Sequence, residues 1–519
     1  MGVIRTIIIV GVVCILCVAC FGSKSSKSKN SAKHTATPTA LSEAPTSTPE
    51  APSASEPNNN QAANGASSQD NQAQQSTDAG AKSQQGSRGY LTTPKELEAI
   101  RKKADDGLEP YHSAVKDVLA WADQDWNFSL DKVQGCPDAN HPEWLDNQGG
   151  VPILYAKALA YHLTGDEQYA KDVKTILQRI MTKVLKISLS EQQCRLDFSW
   201  GTPELVASAD LIEEYWQDKT CTGPVSTVYD ETQIDSGNCK KLFQNWLIKN
   251  PYYVVSYTAE TAQSNWGASS TNTLAYIADY LADRPDVKLI HRTGDAEDKD
   301  VIKTLTLTPA QAYAKANKLM FDRMNGYGVD YFSSSACSAL DGPQQNSQWP
   351  PVKSQITEKG IVPEDARRQE FCNIPQYSGE YENYPQLHLG SNIQQCELML
   401  RRGDSTCFDN VDNSDIPNFS YKYSDGQTKV THLYPGRGSV ERAIDAIIID
   451  SHTEWRHDSA LAVAYRYYYD HHRLPGTEQW LVQIDKFDDC AQDICFGVLT
   501  HGFSPDETPS LPPVTKPVK

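Results

Sequence analysis

The stretch from Gly150 to Lys186 constrains the fold of this chain most. Apolar residues recur there at helical spacing, first Ile153, Ala156, Leu159, Ala160 and Leu163, then Tyr169, Val173, Ile176, Leu177, Ile180 and Val184. Steps of three and four residues predict two amphipathic helices, each with one face to bury. Between them, Gly165 supplies a left-handed stop and Asp166 an acceptor for the first free amides of the next helix. The segment therefore reads as an αα-hairpin with a tight turn.

Comparable helical stretches recur at Lys95 to Asp123, Pro203 to Trp216, Cys239 to Lys249, Ala268 to Leu281, Pro309 to Met324, Leu387 to Arg402, Glu441 to Ile449 and Ala460 to Tyr469. Runs rich in Val, Ile and Thr are few and short. The expected class is all-α, an (α/α) toroid or incomplete toroid of helical hairpins with long irregular loops. No fixed-length repeat marks a regular solenoid. The irregular stretches Gly328 to Asn383 and Asp404 to Val430 are long enough to be lids or binding edges.

Four parts follow from composition: a leader over residues 1–20, a low-complexity linker over 21–89, the helical domain over 90–503 and a Pro-rich tail over 504–519. The leader has one charge at Arg5, an apolar run and the ending Val18-Ala19-Cys20. It resembles a bacterial lipoprotein signal, which implies lipid attachment at Cys20, although Cys17 stands where that pattern usually has leucine. Ile4 to Phe21 also has the length of a membrane anchor, and a simple cleaved signal is a third reading. Each places the domain outside the cytosol, periplasmic or at the cell surface, touching membrane only through its N-terminus. The linker is Ser, Ala, Thr, Pro, Asn and Gln with almost no large apolar side chain, so it has nothing to bury against the entropy of ordering.

The chain carries a net charge of −18, and its first 88 residues hold seven basic residues against five acidic ones, so the acidic excess lies wholly in the rest. That argues against nucleic acid, whose phosphates need a basic face. It also sits awkwardly with a polyanionic substrate unless cations gather in one cleft. Ten cysteines follow the leader, an even number that favours disulfides in an exported chain; Cys221 with Cys239 and Cys490 with Cys495 would close short loops. Beyond the leader no Cys-x-x-Cys or His-x-x-x-His cluster points to zinc, and no metal or cofactor is expected.

Two segments could carry chemistry. Gln263-Ser264-Asn265-Trp266-Gly267 sets an amide beside a large aromatic before a helix, a pattern that also fits a helix cap with a packed tryptophan. Glu380-Tyr381-Glu382-Asn383-Tyr384-Pro385-Gln386-Leu387-His388 opens another helix, where Tyr384 and His388, four apart, share one face. An ordinary acidic helix start fits that segment equally. A third cluster, His452 to Asp458, reads as a cleft wall with His452 or His457 as a base, or as a polar turn with Trp455 buried.

Taken in order, Leu108 to Tyr111, Ala156 to Ala170, Ser264-Asn265-Trp266, Tyr384 to His388 and Arg402-Gly403-Asp404 resemble the alginate lyase family over about 350 residues. The resemblance implies β-elimination on a uronic-acid polymer without metal or nucleotide, by a monomer acting on an acidic or modified polysaccharide. Asn265 would neutralise the sugar carboxylate so that the C5 proton becomes removable. Tyr384 and His388 would share the roles of base and of acid toward the departing O4 oxygen. Trp266 and Tyr381 would stack on sugar rings. The family's Asn-Asn-His run is replaced here by Ser264-Asn265-Trp266, and its arginine and second tyrosine are missing around His388. Arg437 would be a substitute cation, as would Arg367 or Arg368, and a solvated surface residue is the other reading of each. Two other readings stay open: a glycan-binding protein that has lost its base, and a toroid glycoside hydrolase using a carboxylate pair from Glu380, Glu382 and Glu454.

Overall fold

The first four helices pair as two hairpins, α1 (Pro94–Asp105) with α2 (Tyr111–Ala122) and α3 (Gly150–Thr164) with α4 (Glu167–Lys183). The expected turn joins the second pair: Gly165 is left-handed at φ 78°, and the Asp166 side chain accepts from the Gln168 amide at 2.8 Å. One expectation needs correcting. Every residue from Gly150 to Ala160 is buried, so α3 is a core helix enclosed all round rather than an amphipathic one. This computed structural model describes residues 86–130, 142–145, 149–187, 189, 192–262, 264–294, 302–324, 384–409, 419–422, 429–432, 440–445, 447–448, 454–472, 477–484, 490 and 494–504, all within the compact unit Ala79–Lys519.

Next comes α5 (Gln192–Leu211), which begins eleven residues before the expected start because it runs straight through Gly201 and Pro203. Proline inside a helix removes one backbone hydrogen bond at a cost of roughly 3 kcal/mol. The bond lost is the one to the Ser199 carbonyl, and that carbonyl instead accepts from Thr273 Oγ1 at 2.5 Å. A single such bond recovers only about 1 kcal/mol, so packing carries the remainder. Gly201 shows how tight that packing is: a β-carbon there would sit 2.8 Å from the Leu145 side chain.

After a short α6 (Glu213–Trp216), the hairpin β1 (Thr220–Pro224) and β2 (Ile234–Asn238) leads into α7 (Cys239–Leu247). The Cys221–Cys239 disulfide joins β1 to the start of α7. A π-helical turn over Ile248–Tyr252 continues into α8 (Tyr253–Thr261), then α9 (Asn265–Tyr280), the hairpin β3 (Leu289–Gly294) and β4 (Ile302–Leu307), and α10 (Pro309–Met324). The C-terminal part holds α11 (Tyr384–Arg401), α12 (Thr406–Asp409), the hairpin β5 (Phe419–Lys422) and β6 (Lys429–His432), α13 (Val440–Asp445), α14 (Asp458–Tyr467), α15 (Glu478–Leu481) and α16 (Gly497–His501). Further disulfides link Cys396 with Cys407 and Cys490 with Cys495. The described part is thus mostly helical, with three small two-stranded sheets and no closed sheet among the described residues.

Helices α5, α9 and α11 pack side by side and run parallel. Ser269 meets Ser391 at 3.0 Å and Asn272 bonds Gln394, so numbers rise together along α9 and α11. Leu196 packs with Leu387 while Glu204 accepts from Gln394 at 3.0 Å, so α5 points the same way. Helix α9 is buried over all of Gly267–Tyr280, and its Ser269-to-Thr273 run is polar. Cross-helix hydrogen bonds satisfy much of that polarity, including Ser199–Ser270 at 2.8 Å.

An ionic clasp closes the C-terminal ends of these three helices. Asp210 on α5 accepts from Ser87 Oγ at 2.6 Å and from the Arg88 and Gly89 amides at 2.7 and 2.9 Å. Asp279 on α9 accepts from both Arg88 and Arg402, each as a two-pronged pair. Burial pushes the Asp279 carboxyl upward, but the two guanidiniums outweigh it and hold its pKa below the ordinary value. The opposite ends, where α9 and α11 begin, are left for Asn265 and Tyr384.

Candidate functional site

Asn265 is the first residue of α9, and the turn before it is fixed from several sides. Ser264 caps the helix, its Oγ accepting from the Trp266 amide at 3.4 Å. Gly267 lets that turn lie against α8: a β-carbon there would fall 1.9 Å from the Ala262 carbonyl oxygen and 2.8 Å from Arg323 Nε. Arg323, buried on α10, donates to the Ala262 carbonyl at 3.2 Å, to the Ala259 carbonyl and to Thr271 Oγ1. A cation is thus held on the free carbonyls that end α8, where the helix dipole favours it. Burial lowers the Arg323 pKa to about 10, so it remains charged at neutral pH.

Asn265 itself is 1 % exposed, and its Oδ1 is enclosed without a hydrogen-bond partner. A buried amide oxygen left unmatched costs roughly 1–3 kcal/mol. Its neighbour Trp266 is half-buried and packs, together with Tyr384, on the cluster Leu196, Trp200 and Leu387. The cap reading of this segment holds, with Ser264 as the cap, and Trp266 packs as a half-buried ring beside the buried Asn265.

On α11, Pro385 stands at the second position, where its missing amide costs nothing. Tyr384 is half-buried and His388, one turn further, is 2 % exposed. Gln386, fully buried, reaches sideways to the segment before α14: its Nε2 donates to the Glu454 carbonyl at 3.0 Å, and its Oε1 accepts from the Arg456 amide at 2.7 Å. The Glu454-to-His457 stretch therefore stands beside the start of α11. Trp455 is buried, as the polar-turn reading expects, and donates from Nε1 to the His457 carbonyl at 2.7 Å. Burial, aided by the Arg456 charge, pushes the His457 imidazole down to about 4, so it is neutral at neutral pH.

A pair of buried cations was not foreseen. Arg195, in the first turn of α5, and Arg292, on β3, are 8 % and 3 % exposed. Both guanidiniums lie over the Tyr257 ring, at 5.7 and 5.2 Å from its centroid, and Arg292 also lies 5.3 Å from that of Tyr253. Neither makes a salt bridge with a carboxylate among the described residues. Arg195 sits between Cys194 and Leu196, and Arg292 follows His291 in a strand. No sequence pattern links two cations so far apart.

Asn265, Trp266, Tyr384 and His388 therefore lie where the parallel helices α9 and α11 begin, with Trp200 of α5 in the cluster under Trp266 and Tyr384. Tyr381, Arg437 and Cys20 lie outside the described residues, as do Arg367, Arg368, Glu380, Glu382 and His452. A cavity of about 270 Å³ opens instead toward the other end of α11, lined by Glu96, Lys103, Glu397, Arg466 and His501 among others. Its charges are paired, Glu397 with Arg401 and His501 at 2.7 and 3.1 Å, so it offers a ligand little unmatched chemistry. Among the described residues no group of three or more metal-ligating side chains gathers. Compared with protein-family models, curated proteins and solved structures, the chain matches none.

Proposed function

We propose that the domain is a polysaccharide lyase cleaving a uronic-acid-containing glycan by β-elimination, on an (α/α) toroid or incomplete toroid related to the alginate lyases. One observation carries this reading. Trp266, next to Asn265, and Tyr384, one turn before His388, pack on the same three side chains although they come from distant parts of the chain. The parallel run of α5, α9 and α11 is the arrangement that inner helices of such a toroid require.

In the proposed reaction a uronate ring stacks on Trp266, and the Asn265 amide, turned to present its N–H, neutralises the carboxylate. Tyr384, the more accessible of the pair on α11, meets the C5 proton and the O4 oxygen on one ring face, and the more deeply buried His388 follows one turn further along the helix. Removing the C5 proton forms the C4–C5 double bond as the C4–O4 bond breaks, and the O4 oxygen leaves with a proton.

The test is incubation of the protein with alginate, glucuronan and other acidic glycans while absorbance of the unsaturated uronate product is followed. Growth of that absorbance is expected. Saturated reducing ends without it would instead show hydrolysis and the carboxylate-pair reading. A second reading, glycan binding without cleavage, is favoured by the depth of His388, and binding with no product of either kind would establish it.

A further inference from the structure

We propose that Arg195 and Arg292, with the Tyr253 and Tyr257 phenols beside them, form a binding site for a planar or tetrahedral oxyanion such as a carboxylate, sulfate or phosphate. Both residues are more than nine-tenths buried, and Arg195 Nε and Arg292 Nη1 are enclosed with no hydrogen-bond partner. Arginine is rarely buried unless paired. Here the available interactions are the faces of two tyrosine rings, at 5.2 to 5.7 Å, and such contacts offset only about 0.5–2 kcal/mol of a buried charge's desolvation.

Three electrostatic effects oppose holding the two guanidiniums together. The two cations repel each other, and each loses hydration. Arg195 also stands in the first turn of α5, at the positive end of the helix dipole. Burial first, and then Arg292, lower the Arg195 pKa, and burial likewise lowers that of Arg292. An anion relieves all three effects at once, and the guanidinium fork fits its oxygens in pairs. Tyr253 and Tyr257, both half-buried and one helical turn apart on α8, hold the guanidiniums against their ring faces. The backbone is anchored as well, since the Arg292 amide donates to Ser256 Oγ at 3.0 Å.

This site concentrates positive charge locally in a domain whose net charge is acidic. It stands independently of any lyase activity, because anion binding is read without turnover.

The deciding experiment is calorimetric titration of the protein at low ionic strength with sulfate, inorganic phosphate, glucuronate and, as the uncharged control, glucose. Saturable binding of at least one oxyanion and none of glucose is expected. Glucuronate alone binding identifies a sugar carboxylate as the ligand, whereas sulfate or phosphate binding equally well identifies a free oxyanion. Arg195→Gln and Arg292→Gln should each weaken binding by about tenfold or more, the loss expected for a charge-assisted hydrogen bond. Each should also raise Tm in anion-free buffer, which a purely structural arginine would not do. If either Gln variant fails to fold, Arg195→Lys and Arg292→Lys keep the charge but lose the fork and should show the same tenfold weakening. Absence of any oxyanion binding, or unchanged affinity in the folded variants, overturns the proposal.

Discussion

Trp266 and Tyr384 rest on one shared platform, Leu196, Trp200 and Leu387, where α9 and α11 begin. This platform stands apart from the main core cluster, and its two outer rings are only half-buried. An aromatic surface left partly open beside a buried amide is suited to a flat, hydroxylated ligand.

Trp266→Ala should therefore weaken glycan binding by one to two orders of magnitude, with a modest loss of stability of about 1–2 kcal/mol because the ring is only partly buried. Trp266→Phe should recover most of the binding. Affinity electrophoresis against acidic polysaccharides measures the first effect, and thermal melting the second.

Gly267→Ala should be far more damaging than its size implies. The added methyl would fall 1.9 Å from the Ala262 carbonyl oxygen, a backbone atom that can move only by shifting the end of α8. A loss of roughly 1–3 kcal/mol follows from overpacking. The same shift displaces Asn265, two residues earlier, so turnover measured well below Tm should fall as well. Normal stability with full activity would show that this turn does not set the site.

How much of this was legible in sequence depends on where side chains are satisfied. The α3–α4 hairpin and α10 follow from local signals alone: Pro309 and Met324 bound the latter as expected. The first half of α5 was hidden because Gly201 and Pro203 read as helix breakers, and the group that meets the freed Ser199 carbonyl, Thr273, lies on another helix. Helix α8, with the sequence YVVSYTAET, was not anticipated, since β-branched and aromatic residues carry no helical signature there. At the site, Asn265, Trp266, Tyr384 and His388 could be chosen from motifs. The arginine pair could not, because its members meet only through Tyr257.

Acid should destabilise the protein in two stages. His457 has a folded pKa of about 4 against an ordinary 6.5, so the stability tied to its neutral form is full above pH 6.5 and is lost as pH falls through about 4. Glu397 is held at about 2 against an ordinary 4.5, since His501 and Arg401 outweigh its burial. Its contribution is full above pH 4.5 and is lost toward pH 2. His457→Gln should flatten the upper stage, worth on the order of 3 kcal/mol, and leave the lower one. Thermal melting across pH 7 to 2 resolves the two, and a single transition unaffected by His457→Gln would contradict the assignment.

The most direct test of the proposed chemistry is Asn265→Ala, compared with the unaltered protein for unsaturated-product formation and for Tm. Because Asn265 Oδ1 is enclosed without a partner, its removal should leave Tm unchanged or slightly raised. Product formation should fall by about a hundredfold or more, the usual cost of removing a group that stabilises developing negative charge. Undiminished product formation by the variant, or none by the unaltered protein on any uronic-acid glycan, would contradict the account.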